Sequence, residues 1–169
     1  MNTATWWVRI LNPNHKWLHH TLTIYPFCRI PLNQDMKQIE VVAAVIRLED
    51  KVLAVQRGDG RYAYVSRKFE FPGGKIENGE SHHSAVLREI REELALEVEV
   101  EDFLMTVQHS YPDFELTMHC YACRTNQEQP VLHEHLAYRW CLTHELPSLD
   151  WAAADLPVVD RLLAQSHER

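Results

Sequence analysis

Apolar and polar residues fall into regular runs from Met36 onward. "IEVVAAVIRLED" and "KVLAVQRG" are rich in β-branched residues and are split by a charged turn at Glu49-Asp50, which predicts two strands. "GDGRYAYVSRK" reads as a loop, and "FEFPGG" as a short strand stopped by Pro72-Gly73-Gly74. Beyond it Ser81 is placed to cap a helix on which Val86, Leu87, Ile90 and Leu94 recur at helical spacing and form one core-facing stripe. "LEVEVEDFLMTVQHSY" and "FELTMHCYACRT" read as strands joined near Pro112-Asp113, and "AYRWCL" as another. "VVDRLLAQ" closes the chain as a helix. Strands surrounding one central and one terminal helix predict a single mixed α/β domain, without repeats or low-complexity segments.

Residues 1–36 differ from the rest. Their only acidic residue is Asp35, against Arg9, Lys16 and Arg29, and they are rich in Trp, His and Pro with no sustained period. "WWVRIL" is too short for a signal-peptide core. The stretch is read as an N-terminal extension of poorly ordered chain, with Met36 as a natural start and residues 37–169 as the domain. A docking arm or an added edge strand stays open for it.

Composition narrows the classes of function. With 46% hydrophobic residues the chain can bury a core. Against 17 Lys and Arg stand 24 Asp and Glu, a formal net charge of -7, which argues against binding a nucleic-acid polymer. A small phosphorylated ligand stays possible, because a bound metal can supply positive charge locally. No apolar run approaches a membrane-spanning length, so no membrane partner is expected. Cys120 and Cys123 form a CxxC, but on a strand residues three apart point to opposite faces, so buried free thiols are expected rather than a zinc or redox pair. That usage suits a reducing cytoplasm.

The chemistry concentrates in "GGKIENGESHHSAVLREIREELAL", residues 73–96. Glu89, Glu92 and Glu93 sit at i, i+3 and i+4, where like charges repel by a few tenths of a kcal/mol per pair. Glu80 lies just before the helix and Gly73–Gly79 form a loop beside it. Carboxylates facing a glycine loop with free carbonyls suit a hard divalent cation, and Mg²⁺ binds through few carboxylates plus substrate phosphates. Arg88 and Arg91 can pair with the acids. A solvated acidic helix face is the competing explanation of the same residues.

The spacing of Gly74, five residues, Glu80, seven residues and "REIREELAL" from Arg88 to Leu96 resembles the Nudix box, Gx5Ex7REUxEExGU with U apolar. Only Ala95 departs, where the pattern has Gly. The resemblance covers residues from about 38 to 167, and "FEFPGGKIENGE" and "DWAAADLPVV" look like the MutT-type branch. It implies an α/β/α fold, a mixed sheet sandwiched between helices, and hydrolysis of nucleoside diphosphates linked to another moiety, with Mg²⁺ or Mn²⁺. By motif position it implies metal ligation by Glu89, Glu92, Glu93 and the Gly73 carbonyl, with support from Glu80 and Arg88. It further implies a distal metal ligand or base at Glu134, phosphate or nucleotide contacts from Arg57 and Lys75, a base pocket lined by Phe71, and base reading by Asp155. Either Glu89 or Glu134 takes the proton from water. The expected activity is pyrophosphohydrolysis of oxidised nucleotides such as 8-oxo-dGTP to the monophosphate, cleansing the nucleotide pool. A CTP, dCTP or modified-pyrimidine pyrophosphohydrolase and a non-catalytic nucleotide-sensing module are the alternatives. A monomer or homodimer is expected. Every motif lies beyond the extension, so a chain starting at Met36 is expected to keep full activity; its loss would show that Trp6 and Trp7 pack on the domain.

Overall fold

The run Val42–Ile46 contains no polar residue, so a strand built from it needs cover on both faces. The computed structural model describes residues 36–167, and there that run is the fully buried middle of β1 (Lys37–Leu48). β1 pairs in parallel with β5 (Phe114–Arg124), from Lys37↔Phe114 to Arg47↔Arg124. β5 is flanked by antiparallel β4 (Glu99–Ser110). β2 (Lys51–Arg57) carries β3 (Phe69–Glu70) and β6 (His135–Leu142), both antiparallel. The result is one mixed sheet of six strands.

β1 and β2 pair only beside their shared turn, at Arg47↔Val52 and Leu48↔Lys51. Past that point the hairpin splays and the segment 68–75 fills the gap. It first bonds to β2, through Arg57 N–H to Lys68 O (2.9 Å) and the β3 register Val55↔Glu70. It then crosses to β1, where Ala44 N–H donates to Pro72 O (2.8 Å) and Val42 N–H to Gly74 O (2.9 Å). A proline serves there because only its carbonyl is needed.

Alternation along the strands builds two cores. Val42, Ala44, Ile46, Leu53 and Val55 face α1 (His82–Leu94), and Ala43, Val45, Val52 and Ala54 belong with Val158, Val159 and Leu162 of α2 (Leu156–His167). The sheet therefore lies between two helices, the α/β/α arrangement. Cys120 joins the α2-side core and Cys123 the α1-side core. Both thiols are free, and burial pushes each up to about 12. Among the described residues no helix is long and apolar enough to cross a membrane. Trp6, Trp7, Cys28 and the rest of the extension up to residue 35 lie outside the described residues.

Some expectations shift. α1 buries Ala85, Val86, Ile90, Glu93 and Leu94, while Leu87 sits half-buried on the flank. β4 starts at Glu99 rather than Leu96, because the chain must turn at the helix end while Leu96 stays in the α1 core. A 3₁₀ segment, Thr143–Ser148, follows β6, in a stretch to which the sequence pattern assigned no element. Ser81 caps α1, its Oγ accepting from Ser84 N–H at 3.1 Å.

At the other end Ala95 is left-handed (φ 49°, ψ 31°) and its N–H donates to Arg91 O at 3.0 Å. That conformation favours glycine. Ala95→Gly is expected to stabilise the domain by about 1 kcal/mol, read from denaturant midpoints. A clear loss of stability would contradict the left-handed helix stop.

Candidate active site

The glycine loop is fixed by contacts that leave no room for side chains. Gly73 has φ 147°, and a Cβ on it would meet Val42 O of β1 at 2.3 Å. A Cβ on Gly74 would meet the Glu89 carboxylate at about 2.5 Å. Gly73 lets the loop lie against β1, and Gly74 lets an acid from α1 come down onto the loop. The carbonyls of Pro72 and Gly74 are taken by β1. Gly73 lies between them, and its N–H turns instead to Glu93 Oε2 at 3.2 Å.

Arg88 organises the acids around the loop. It grips Glu80 with two bonds, Nε to Oε1 at 2.9 Å and Nη2 to Oε2 at 2.8 Å. Nη1 donates to Glu89 at 2.8 Å and to Glu92 at 3.2 Å, and Nη2 also reaches Lys75 O at 2.9 Å. The Arg88 guanidinium holds the Glu80 carboxyl below its ordinary value, helped by the Glu77 N–H. Arg91 takes no part; it turns to Glu97 beyond the helix end.

The three helix acids are not equivalent. The Glu92 side chain is 61% exposed, that of Glu89 is 14%, and Glu93 is buried. Burial pushes the Glu93 carboxyl up to about 7; Glu70 and Glu89 add to the rise, while His135 and the Gly73 N–H oppose it. A buried acid facing other acids is held at a cost that a divalent cation would relieve. Oxygen donors against a side-chain-free cradle fit such an ion, and Glu89, Glu92, Glu93 and the Gly73 carbonyl are the groups that could hold it.

A second cluster adjoins the first and contains residues that were not singled out from the sequence. Glu70 of β3 accepts from Arg57 Nη1 at 2.6 Å, and its other oxygen lies 3.3 Å from His135 Nε2. Nδ1 of His135 is buried without a hydrogen-bond partner among the described residues. Strand alternation could have exposed Glu70: it alternates with Phe69 and Phe71, three residues ahead of Gly73. His135 carried no comparable signal, since its place depends on the register Arg57↔His135 between β2 and β6.

Asp155 stands immediately before α2 and is buried. Its Oδ1 accepts from Phe71 N–H at 2.9 Å. The segment 150–152 makes this possible by lining β3, with Phe69 N–H donating to Asp150 O and Ala152 N–H to Phe69 O, both 2.8 Å. Burial raises the Asp155 carboxyl well above its ordinary value; Glu70 adds to this, while the Phe71 N–H and Arg57 oppose it. Phe71 was read as lining a base pocket. Its ring is 4% exposed and 4.7 Å from the Trp151 ring, and its backbone N–H meets this cluster. Lys75 is held by a bridge to Val41, with an exposed side chain.

Glu134 is exposed and follows a loop docked on the end of α1. Val131 N–H donates to Leu94 O at 2.8 Å and His133 N–H to Glu93 O at 3.0 Å. Glu134 therefore lies in the chain between the segment docked on the C-terminal end of α1 and His135, the first residue of β6.

A family model described as NUDIX domain matches residues 36–162. The chain is 34% identical over 129 residues to a CTP pyrophosphohydrolase of Escherichia coli, covering 76% of this chain and 94% of that one. It is 28% identical over 127 residues to an 8-oxo-dGTP diphosphatase of the same organism, covering 75% and 98%. The solution structure of the E. coli ORF135 protein superposes with a TM-score of 0.66 at 33% identity, covering 79% of this chain and 94% of that one. With its glycine cradle, its arginine-bound acids and this extent of similarity, the chain belongs to the Nudix family of hydrolases.

Proposed function

We propose that the protein is a Mg²⁺- or Mn²⁺-dependent nucleoside triphosphate pyrophosphohydrolase of MutT type, releasing a nucleoside monophosphate and pyrophosphate. The observation that carries the reading is the complete acid set: Glu93 and Glu89 lie against the Gly73–Gly74 backbone, and Arg88 binds Glu80, Glu89 and the exposed Glu92 beside them. A binding module that only senses nucleotides would not need every one of these acids. When bound, divalent cations neutralise the phosphate oxygens and make water a nucleophile near neutral pH. Glu89, Glu92, Glu93 and the Gly73 carbonyl would hold them. Proton removal from the attacking water falls to Glu89 or Glu134. Glu89 is tied to Arg88, while Glu134 is exposed at the rim. Arg57 and Lys75 supply positive charge for phosphate or nucleotide.

The base is read by Asp155. Its Oδ1 is committed to Phe71 N–H, which leaves Oδ2 for a ligand. Burial favours the protonated carboxyl, so Oδ2 can donate to a base carbonyl and not only accept. An oxidised purine such as 8-oxo-dGTP, whose O6 accepts and whose N7–H donates, offers complementary groups. The 34% identity to a CTP pyrophosphohydrolase favours a second reading, cytosine nucleotides, in which the acceptor would be N3 and the donor the adjacent 4-amino group. A buried polar group left unpaired by the wrong base is what makes such a site selective.

Incubating the protein with Mg²⁺ and 8-oxo-dGTP, dGTP, CTP and dCTP, and measuring pyrophosphate, tests both the reaction and the base. Release from none of them would leave the sensing module. Glu92→Gln and Glu93→Gln should each lower turnover by at least about a hundredfold, since loss of a ligand should exceed the cost of losing an outer-shell partner. Turnover like that of the unaltered protein in either variant would remove the metal assignment. Asp155→Ala should raise KM and narrow the spread of kcat/KM across the panel. An unchanged spread would show that Asp155 does not read the base.

The same residue gives a pH signature. Its native pKa is raised above the ordinary 3.8, so the folded chain keeps a proton that the unfolded chain has lost. Stability from this group is full below about pH 3.8 and falls as pH climbs toward the raised native value. Asp155→Asn keeps the acceptor for Phe71 N–H and removes the titration. Its melting midpoint should exceed that of the unaltered protein by several degrees at pH 8 and match it near pH 4. An equal difference at both pH values would show that Asp155 is ionised in the fold.

A further inference from the structure

Glu40, His82 and His119 take no part in the chemistry above. Alternation places Glu40 in series with Val42, Ala44 and Ile46, and His119 in series with Tyr121 and Cys123, on the face that α1 covers. α1 begins at His82, so its first turn meets the sheet where the apolar series gives way to Glu40 and His119. One carboxylate oxygen and one nitrogen from each imidazole lie within 4.8 Å of one another. His119 Nε2 is 2.9 Å from Glu40 Oε1, and the two imidazole rings stack at 4.3 Å.

The partners behind the rings matter as much as the rings. Nδ1 of His119 is 2.9 Å from Thr106 Oγ1, its cross-strand neighbour on β4. Nδ1 of His82 is 3.0 Å from Tyr121 Oη. Each imidazole thus has one nitrogen fixed by a hydroxyl, which sets the ring orientation and leaves Nε2 to face an ion. Such outer partners accompany metal-binding histidines. The His119 side chain is 15% exposed and Glu40's is 61%, so a well-held ligand is matched with one free to adjust.

We propose that Glu40, His82 and His119 form a second cation site, for a zinc-class ion, separate from the acids at the glycine loop. Two imidazoles and one carboxylate suit Zn²⁺, Ni²⁺ or Cu²⁺, whereas the all-oxygen set at the loop suits Mg²⁺ or Mn²⁺. Tetrahedral zinc bonds of ~2.1 Å put ligand atoms roughly 3.3 Å apart, so movement of the exposed Glu40 carboxylate and a small shift of the first turn of α1, with the His82–Tyr121 bond kept, close the set. Glu40 supplies the negative charge that offsets the positive N-terminal end of α1. The ion would tie β1, β5 and the first turn of α1 together and act as a strut for the helix that carries Glu89, Glu92 and Glu93. The site stands whether or not the proposed hydrolysis is correct.

The test is zinc titration of the full chain against a chromophoric chelator, with Mg²⁺ in excess to occupy the acids at the loop. The unaltered protein should bind one more Zn²⁺ per chain than His82→Ala/His119→Ala. Glu40→Gln should weaken that zinc at least tenfold, and Tyr121→Phe about tenfold or more through loss of the outer partner. Glu40 is exposed, so its variant folds even where the double variant does not. Circular dichroism and Mg²⁺-dependent pyrophosphate release confirm the fold of each. Zinc should also raise the melting midpoint of the unaltered protein, reversibly on adding EDTA, and leave that of the double variant unchanged. Equal zinc stoichiometry and affinity in the unaltered protein, the double variant and Glu40→Gln would overturn the site.

Discussion

Everything in the candidate site depends on the close approach of the Gly73–Gly74 backbone to β1 on one side and to Glu89 on the other. β1 and β2 splay apart after two pairs of residues beside their turn, and a strand-like segment that has no side chains at Gly73 and Gly74 fills the space. The same segment sets Glu70 between Arg57 and His135 and gives Phe71 N–H to Asp155. A methyl group at Gly73 would collide with the β1 backbone, which cannot move without disturbing its parallel pairing with β5. The glycines are therefore a condition on the sheet as well as on the site.

The electrostatics divide between two devices. On the solvent side, Arg88 spreads one guanidinium over Glu80, Glu89, Glu92 and a loop carbonyl, which offsets the like-charge repulsion of the helix with charge already in the chain. On the inner side, Glu93 and Asp155 are buried with Glu70 nearby, and both carboxyls are pushed upward. They do different work. Glu93 accepts from the Gly73 N–H at the cradle, where the proposed cation would offset its burial, while Asp155 accepts from the Phe71 N–H on the far side of that segment.

Much of this was legible in the residues, and the reason differs from part to part. The strands and α1 follow from periodicity, because the apolar stripe that predicts each element is the surface that it buries. Residues of the box are local in sequence, so spacing alone brought Gly74, Glu80, Arg88 and the helix acids together. Ala95 adopts the left-handed turn that the pattern assigns to glycine, showing that the helix stop is imposed by its surroundings rather than by its residue. Glu93 was read as one of three equal acids, but the wheel does not reveal that the loop folds over it. His135 and the role of the Phe71 backbone depend on strand register, and the Glu40, His82 and His119 cluster on contacts between β1, β5 and α1. Those are long-range facts that no spacing encodes.

The parallel pairing of β1 with β5 has a kinetic consequence. Lys37 meets Phe114, and Arg47 meets Arg124, so the centre of the sheet closes only after a long intervening stretch of chain has been made. Non-local closure of this kind slows folding. β3 is flanked on its other side by Asp150–Ala152, later still in the chain. During synthesis, the β1–β2 hairpin and α1 emerge early, yet the cradle between them stays unbraced until nearly the whole domain has left the ribosome. Until then the apolar face of α1 and the bare edge of β1 are surfaces for a chaperone to cover.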